Sequence, residues 1–564
     1  MKSIAVKGKI KTFFNSDGGK MKNILILGAG LMQKPAILSA KELGYKVCLV
    51  DADDKAVAIP YAHEFRKIDL KARDEILSYA EKLEEEGGLA AVFTAGTDFS
   101  ASVSYVCEKL HLPSHTFQAA VNASVKTEMR KCFKEAGVPS PDFFRLEKKD
   151  FDSGKLILSE DGLSLNSKKL LFPLVVKPVD NMGARGCRLI RSKEEVASSV
   201  SKALAASRTS NAIIEEYMEG PEYSIDALVY NGKFIVTGFA ERHIFYPPYF
   251  IEVGHTMPAI LSQKDHDQLI SIFACGAKAL GLSCGVAKAD IKMTEKGPMI
   301  GEIAGRLSGG YMSGWTYPYA SDINLTKEAI LVAAGKAPEA AEKRSIPVNF
   351  DPAGNNLTKP YQLFEVPCLR TSAERAWISI PGTVEYVEEI KEYTDQAVRD
   401  ILPRATVSVG GQVDFPRNNV EKCGNVISVS HSRDIAVSTA EDAVSNVFIT
   451  LKPGCKKTDD FIAGLEAADE KGFPPAAFAK LSDDELTKLP SVIEKDLPVT
   501  GLLPPFILEK YGNLKDWNYN TISQSLEKFD ILRKKHAALD GKKFWKALFQ
   551  GGLQAAVYIC DSTK

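Results

Sequence analysis

From Met21 onward the chain alternates apolar runs with amphipathic stretches. KNILILGAG predicts a buried strand ending in glycines, KPAILSAKELG predicts a helix that ends at Gly44, and YKVCLVDAD predicts a second strand. A further helix, strand and helix are predicted in ARDEILSYAEKLEEEGG, LAAVFTAG and DFSASVSYVCEKLHLP. This βαβ alternation favours a parallel sheet with helices on its faces, which we expect over residues 21–115, after an N-terminal extension at 1–20.

Residues 116–345 mix helices, strands and hairpins. A helix in NASVKTEMRKCFKEAG precedes a small lobe at about 140–217, built from LFPLVVKP, the glycine loop VDNMGARG, CRLIRS, KEEVASSVSKALAAS and NAIIEEYMEG. The hairpin YSIDALVYNGKFIVTGFAE turns at Asn231-Gly232, a pair typical of a type I′ turn. A helix in DHDQLISIFACGAKALG and a hairpin of CGVAKADIKMT with MIGEIAGR are expected to complete this domain.

The rest of the chain changes character twice. Residues 346–455 predict the strands AWISI, TVEYVEE, ATVSV and NVISVS and one helix, RDIAVSTAEDAVSNVFI. Residues 456–564 lose the strand pattern and predict a mainly helical extension with an apolar final helix, KFWKALFQGGLQAAVYIC. The predicted fold class is therefore α/β and α+β: a βαβ domain, a two-lobed domain, a β-rich lobe and a helical extension.

Composition narrows the function classes. The chain has 564 residues, 71 Lys+Arg against 72 Asp+Glu and 45% hydrophobic residues, which is typical of a multidomain globular protein and gives no bulk-charge reason for nucleic-acid binding. No apolar run reaches the roughly 20 residues of a membrane span, and MKSIAVKGKIKTFFNSDGGK lacks a secretory signal pattern. We therefore expect a cytoplasmic protein without nucleic-acid or membrane partners.

The cysteine and histidine spacing bears on metal chemistry. Ten cysteines stand singly without a C-x-x-C pair, and no H-E-x-x-H pair occurs. A metal would then be held by oxygen ligands, as magnesium is.

The first βαβ unit also suggests a dinucleotide site. Gly28 and Gly30 follow a strand, and Asp51 ends the next one. However, Gln33 stands where the motif has its third glycine, and a lone Gly-x-Gly after a strand is common in such sheets, which favours a tight turn into the helix.

An ordered set of polar residues lies between 126 and 310. Lys177 ends an apolar strand, where a cation favours an anionic partner such as phosphate, and Gly183 and Gly186 leave backbone N–H groups accessible to phosphate oxygens. Asp290 and Glu302, twelve residues apart across a tight turn, are expected to face each other and to bind a divalent cation. Taken singly, each feature is also typical of an ordinary strand end, turn or solvated face.

In this order, VVKPVDNMGARG, IIEEYMEGPEYSID, GVAKADI and GEIAGRLSGG resemble the ATP-grasp superfamily over about 21–450. VDFPRNNVEKCGNVISVSHSRDIAVSTAEDAV resembles the C-terminal lobe of the branch with biotin carboxylase, the purine-pathway ligases and the L-amino-acid ligases. The resemblance implies that the βαβ domain helps to bind the non-nucleotide substrate instead of a dinucleotide.

The resemblance implies ATP and Mg²⁺ (or Mn²⁺) as cofactors and assigns a role to each matching position. Those residues are Lys126 and Lys177 for the phosphates, Gly183, Ala184, Arg185 and Gly186 for a flap, Glu215 for the adenine amino group, Glu216, Tyr217 and Met218 for the adenine edge, Glu222 for ribose, Asp290 and Glu302 for the metal, and Arg306 for the γ-phosphate. Ala304 stands where many members have an asparagine, which puts one metal site in doubt.

Substrate-side residues are implied in three places. Glu252 and His255 belong to an E-x-G-H-x-x-P stretch, although His255 is equally typical of a structural hydrogen-bond donor. Ser308, Gly309 and Gly310 follow Arg306 and offer backbone N–H groups. Arg417 and Lys422 fit contacts to an anionic substrate or, alternatively, a solvated loop.

The implied function is an ATP-dependent carboxylate–amine ligase that forms an acyl phosphate, with Lys177 and Arg306 as catalytic residues. Its partners would be a small carboxylate and an amine, and a homodimer is compatible with the sequence. Two alternatives remain: a biotin carboxylase-like component, for which the chain lacks an A-M-K-M-like biotinyl sequence, and a non-catalytic ATP-binding subunit that uses the extension for interaction.

Overall fold

A computed structural model describes residues 21–389, 397–404, 406–465, 470 and 472–563; the expected extension at 1–20 lies outside them. The first domain is a parallel four-stranded sheet in the order β3-β2-β1-β4. Its elements are β1 (Asn23–Leu27), α1 (Lys34–Glu42), β2 (Lys46–Asp51), β3 (Glu64–Lys67), α2 (Arg73–Gly87), β4 (Leu89–Phe93) and α3 (Ser100–Lys109). The predicted βαβ architecture is confirmed, with β3 as an additional short edge strand.

The glycine turn after β1 does not have the geometry of a dinucleotide site. The backbone N–H of Ala29 donates to Asp51 Oδ2 at 2.7 Å, and the Gln33 side chain fills the space over Gly28 and accepts from the Ala95 N–H at 2.9 Å. The Asp51 carboxylate thus fastens the turn itself.

The helix predicted over 122–137 is two helices, α4 (Phe117–Ser124) and α5 (Lys126–Ala136). Val125 between them is extended, and the N–H of Lys126 donates to the carbonyl of Val179 at 3.0 Å. This break sets Lys126 at the start of α5, beside the chain that follows Lys177.

The small lobe is an antiparallel sheet in the order β10-β9-β11-β5, with a second three-stranded sheet that the sequence analysis missed. Its elements are β5 (Phe143–Glu147), α6 (Lys148–Asp152), β6 (Ile157–Ser159), β7 (Gly162–Leu165), β8 (Lys168–Leu171), β9 (Leu174–Pro178), β10 (Arg188–Ile190), α7 (Val196–Ala206) and β11 (Asn211–Glu216).

The large lobe is built on long antiparallel strands. Asn231 and Gly232 both have positive φ angles, as the predicted type I′ turn requires. The elements are β12 (Glu222–Tyr230), β13 (Lys233–Phe245), β14 (Ile251–Met257), α8 (Gln263–Ala279), β15 (Gly285–Thr294), β16 (Gly297–Ala304), α9 (Tyr317–Ser321), α10 (Leu325–Ala333), α11 (Glu339–Arg344), β17 (Ile346–Pro347) and β18 (Gln362–Glu365).

The third lobe continues the large-lobe sheet, because its strands extend the order β16-β15-β12-β13-β14 through β19-β23-β21. Its elements are β19 (Thr371–Trp377), β20 (Gly382–Glu389), β21 (Val398–Pro403), β22 (Gln412–Val413), β23 (Gly424–Ser430), α12 (Arg433–Ser445) and β24 (Val447–Leu451).

Two predictions for the third lobe are wrong. Residues 406–409 of the predicted strand ATVSV form turns, in which the Val407 N–H donates to the Arg404 carbonyl. The end of the predicted helix, from Val447, is β24, because its apolar residues pair with β20.

The extension contains α13 (Lys456–Ala463), α14 (Asp483–Thr487), β25 (Val492–Ile493), α15 (Pro505–Tyr511), α16 (Ile522–Leu532), β26 (Leu539–Asp540) and α17 (Gly541–Ser562), which bends at Gly551 and Gly552. It shares one apolar core with the third lobe, in which Trp377 and Phe415 pack with Trp517 and Trp545. No helix among the described residues is long and apolar enough to cross a membrane.

Candidate active site

A cavity of about 340 Å³ lies where the first domain and the three lobes meet. Most of the residues that the sequence analysis singled out lie on its wall. These are Lys126, Lys177, Gly183, Ala184, Arg185, Glu215, Glu216, Tyr217, Met218, Glu222, Glu252, Asp290, Glu302, Arg306, Gly309, Gly310 and Lys422.

Lys177 and Glu215 lie on the adjacent strands β9 and β11. One carboxylate oxygen of Glu215 contacts Lys177, and the other lies 3.1 Å from Nη2 of Arg130 on α5. Burial disfavours the charged form of each partner, but their mutual attraction outweighs it: the pKa of Lys177 is raised and that of Glu215 is lowered. Glu215 is therefore an ionised counter-ion of two cations, and its expected adenine contact stays a prediction.

Lys126 lies on the other side of the cavity. Its Nζ atom donates to the carbonyl of Asn181 at 2.9 Å and lies 3.6 Å from Glu302 Oε2. The two lysines expected to contact phosphates thus approach one space from α5 and β9.

The glycine loop covers this space. Gly183, Ala184 and Gly186 all have positive φ angles, and a Cβ on Gly186 would come within 2.7 Å of Ala206 Cβ, so only glycine fits there. The carbonyl of Gly183 accepts a hydrogen bond from the N–H of Asn419 at 2.9 Å, which fastens the loop to the third lobe.

Asp290 and Glu302 are direct partners on β15 and β16, as the sequence analysis predicted. Burial alone would raise the pKa of Asp290, but Arg242 and Lys288 outweigh it and lower that pKa. Nη1 of Arg242 lies 2.9 Å from Asp290 Oδ1. Two carboxylates at one end of the cavity are oxygen donors of the kind that Mg²⁺ prefers, so their donor type fits this ion.

The described residues contain no cluster of three or more side chains that could hold a metal by themselves. Ala304, at the position where an asparagine was expected, is 6% exposed and adds no donor.

Arg306 meets a residue that the sequence analysis missed. Its Nε atom lies 2.9 Å from Oδ1 of Asp98, in the segment after β4 of the first domain. Met32 and Gly96 of that domain also line the cavity. Side chains at the carboxyl ends of parallel strands are the usual ligand-binding positions of such sheets, and this is the signal that could have found Asp98.

His255 does not line the cavity. It is fully buried between Glu252 and Glu374, with Nδ1 2.5 Å from Glu374 Oε2 and Nε2 3.4 Å from Glu252 Oε2. Burial opposes protonation, but the two carboxylates outweigh it and raise the pKa of His255 to about 9. His255 thus contacts Glu252, which in turn binds Arg242 at the cavity wall, and the expected contact of His255 with a substrate stays a prediction.

Three other expected positions differ. Ser308 is buried and donates its backbone N–H to Asp226 at 3.1 Å, so only Gly309 and Gly310 of its segment reach the cavity. Gly186, the last residue of the flap, packs against Ala203 and Ala206 of α7 and is not among the residues that line the cavity. Arg417 points to the extension, where its Nη2 lies 2.9 Å from Glu470 Oε2, whereas Lys422 is 2% exposed and lines the cavity.

Comparison with known proteins agrees with this geometry. A family model described as an ATP-grasp domain matches residues 170–314. The chain is 26% identical to alanine–anticapsin ligase of Bacillus subtilis (strain 168), over 50% of the chain and 61% of that protein. It is 25% identical to carnosine synthase 1 of Gallus gallus, over 56% of the chain and 36% of that protein. The chain thus spans less than two thirds of the length of these two relatives.

The fold has solved counterparts. The crystal structure of L-amino acid ligase from Bacillus licheniformis superposes with a TM-score of 0.62 at 18% identity, covering 77% of this chain and 99% of that one. That likeness concerns the fold, and the family model concerns the domain that carries Lys177, Glu215, Asp290 and Glu302. Residues 170–314 of the chain therefore match an ATP-grasp domain, and this stretch carries most of the cavity residues described above.

Proposed function

We propose that the protein is an ADP-forming ligase that phosphorylates a small carboxylate with ATP and couples the acyl group to an amine. One observation carries this proposal: Lys126, Lys177 and Arg306 converge with Asp290 and Glu302 on one cavity beneath a glycine flap. Phosphoryl transfer depends on positioning and charge neutralisation more than on covalent chemistry by the protein, and these groups supply both.

In the first step a carboxylate oxygen attacks the γ-phosphorus of ATP, the bond from phosphorus to the bridging oxygen breaks, and ADP leaves. Lys126 and Lys177 bind phosphate oxygens, and Arg306, held by Asp98, neutralises charge where the acyl phosphate forms. Asp290 and Glu302 would hold Mg²⁺, which when bound supplies further neutralisation of phosphate charge.

In the second step the neutral amine nitrogen attacks the acyl carbon, phosphate leaves with its bonding electrons, and the nitrogen gives up one proton to the departing phosphate. The flap excludes water that would hydrolyse the acyl phosphate. Gly309 and Gly310 line the cavity, and their backbone N–H groups would bind the reacting carboxyl group. We further propose a cytoplasmic location and small-molecule substrates; the homodimer stays a prediction for light scattering to test.

The test is an ADP-release screen over carboxylates and amines, with 18O in the carboxylate. We expect ADP and phosphate, with 18O in the phosphate; AMP and pyrophosphate would contradict the mechanism. ADP release that needs bicarbonate and biotin instead of an amine would favour the carboxylase alternative.

A pair of variants tests the site. Glu302→Gln should lower kcat/KM at least about 100-fold, because a metal carboxylate is lost. Glu295→Gln, an exposed residue in the turn of the same hairpin, is the matched control. Near-normal turnover of Glu302→Gln would contradict the assignment of Glu302 to the metal site. If the wild-type protein does not bind ATP at all, the result contradicts both the ligase and the carboxylase function.

A further inference from the structure

Glu470 of the extension, which is 6% exposed, lies where the three lobes meet. Nε and Nη2 of Arg417, from the third lobe, donate to its carboxylate at 3.2 and 2.9 Å. The hydroxyl group of Tyr249, between β13 and β14 of the large lobe, donates to the same carboxylate. Nζ of Lys202, on α7 of the small lobe, lies 3.5 Å from Oε1 of Glu470. One carboxylate of the extension thus contacts all three lobes.

An aromatic side chain of the extension packs at the same point. Phe473, three residues after Glu470, is 1% exposed. Its ring lies edge-on to the rings of Tyr249 and Phe415, with centroids 4.7 and 5.5 Å apart, and the guanidinium of Arg417 lies 5.5 Å from its centroid. The extension therefore holds Arg417 both by an ion pair and by an aromatic ring.

The contacts of Glu470 are charge-assisted. Burial alone would raise the pKa of Glu470, but the hydrogen bonds from Arg417 and Tyr249 outweigh burial and lower that pKa. Hydrogen bonds to an ionised carboxylate are stronger than those between neutral groups. Loss of the charge on Glu470 should therefore loosen Arg417.

Arg417 begins a compact loop that reaches the glycine flap. Glu421 accepts hydrogen bonds from the N–H of Arg417 at 2.7 Å and from the side chain of Asn418 at 2.6 Å, which closes the loop on itself. Asn419, in the middle of this loop, donates its N–H to the carbonyl of Gly183 at 2.9 Å. Because the loop is closed by its own hydrogen bonds, the contact at Arg417 sets the position of Asn419.

The small-lobe side of the flap rests on the helix that Glu470 contacts. α7 carries Lys202, and its last residue, Ala206, accepts a hydrogen bond at 2.8 Å from the side chain of Asn181, which lies just before the flap. Gly186, at the end of the flap, packs against Ala206. Both ends of the flap are thus fastened to α7.

The flap is linked to Glu470 from two sides, through Asn419 and through α7. We propose that Glu470 is a positioning residue by which the extension holds the flap closed over the nucleotide. The residues of the proposed mechanism all precede the extension, so this inference gives the extension a part in retaining the nucleotide and excluding water. It rests on the proposed ligase function and goes beyond it.

The experiment uses the full chain and measures amide hydrogen exchange in the flap, at residues 181–187, with and without the non-hydrolysable nucleotide Mg·AMP-PNP. The Kd for this nucleotide and the release of ADP from ATP are measured on the same samples. The variants are Glu470→Gln, Arg417→Met, the double variant, and the conservative Arg417→Lys. The matched control is Asp561→Asn, which removes the charge from a buried ion pair inside the extension, where Oδ2 lies 2.6 Å from Nη2 of Arg533.

We expect the nucleotide to slow exchange in the wild-type flap. Glu470→Gln should speed exchange in the nucleotide-bound flap and raise Kd, each about 5- to 10-fold, the size of one lost hydrogen bond, while exchange in β1 and β2 changes less than about twofold. Arg417→Met should have the same effect, and the double variant should add nothing, because all three remove one contact. Arg417→Lys should retain part of the flap protection, and Asp561→Asn should retain all of it.

Three results overturn the inference: unchanged flap exchange and Kd in Glu470→Gln, equal loosening of the flap in Asp561→Asn, or a wild-type flap that gains no protection from the nucleotide. Additive effects of Glu470→Gln and Arg417→Met overturn it as well. If Glu470→Gln does not fold, Arg417→Met and Arg417→Lys decide the outcome, since the Arg417 side chain is 36% exposed.

The same data separate this inference from the proposed ligase function. ADP release by the wild type, with flap exchange that does not respond to Glu470→Gln, refutes the role of Glu470 alone. Nucleotide-dependent flap protection that is lost in Glu470→Gln, without ADP release from any substrate pair, refutes the ligase activity and leaves the role of Glu470 standing.

Discussion

Arg130 and Glu215 form a buried ion pair, with Nη2 3.1 Å from Oε2, and each residue is 1% exposed. Lys177 contacts the other oxygen of the same carboxylate. The pair thus joins α5 to the small lobe and holds the strand-end lysine in the cavity. Breaking such a pair leaves an uncompensated buried charge, which is far more costly than losing an exposed pair.

Removing Arg130 should therefore destabilise the protein strongly. We expect Arg130→Met to lower the free energy of unfolding by about 3–5 kcal/mol and to weaken ATP binding, because Lys177 then becomes the sole cation on Glu215. Urea unfolding and ATP titration measure the two effects. The control is Lys131→Met, since Lys131 pairs with Glu128 at the surface and its loss should cost less than about 1 kcal/mol. Equal effects of the two variants would contradict this role.

Contacts between residues that are close in the chain could be predicted from the sequence, whereas contacts between distant residues could not. The facing of Asp290 and Glu302 was predictable because a tight turn fixes their register. Arg130 and Asp98 were not, since their partners lie 85 and 208 residues away and no local pattern encodes such contacts. The contact between His255 and Glu374 was not predictable either, because Glu374 reaches His255 from the third lobe.

The extension was predicted as a separate helical unit because its pattern changes at 456, but the apolar faces of α13 and α17 pack into the third-lobe core. Periodicity identifies a buried face without identifying its partner. The domain boundary at 456 stays a prediction, although no break in the core accompanies it.

The shared core makes the catalytic lobes depend on the extension. Trp545 is fully buried and donates to the Pro490 carbonyl at 3.1 Å. Trp545→Ala should lower the free energy of unfolding by about 3–5 kcal/mol, and ATP binding should be lost in the same transition as the fluorescence signal. Ile531→Ala, at a residue 66% exposed, should change little. ATP binding that survives unfolding of the extension would instead support a separate interaction module.

Chelation of the divalent metal should remove activity but not the fold. Arg242 and Lys288 compensate the charge of Asp290 within the protein, so folding does not need the ion. We expect EDTA to abolish ADP release and to leave Tm unchanged, and excess Mg²⁺ to restore turnover. A clear fall in Tm on chelation would indicate a structural metal instead.

His255 predicts a pH dependence of stability. Burial lowers the pKa of His255, but Glu252 and Glu374 outweigh burial and raise that pKa to about 9. Arg375 donates a hydrogen bond to the backbone carbonyl of His255. Because the raised pKa favours the protonated folded state, the stabilisation is complete below about pH 6.5 and is lost as the pH rises through about 9. The difference in the free energy of unfolding between the wild type and His255→Gln should shrink by up to about 3 kcal/mol between pH 6.5 and 9. His431→Gln, at an exposed histidine, is the control variant.

Asn419 joins the flap to the substrate side of the cavity. Its N–H donates to the Gly183 carbonyl, and its Oδ1 atom accepts from the N–H of Glu252, both at 2.9 Å. Asn419→Ala keeps the first bond and removes the second, so the flap loses its fixed anchor. A hydrogen bond of about 1 kcal/mol corresponds to a roughly fivefold effect, and water that enters should hydrolyse the acyl phosphate.

We therefore expect Asn419→Ala to raise KM for ATP about fivefold and to release more ADP than ligated product, with unfolding unchanged within about 1 kcal/mol. The ratio of ADP to product, measured in one reaction, reports this uncoupling directly. The control is Asn418→Ala, because the Asn418 side chain binds Glu421 within the loop. If Asn418→Ala uncouples the reaction equally, loop flexibility explains the effect; if neither variant does, the loop does not hold the flap during turnover.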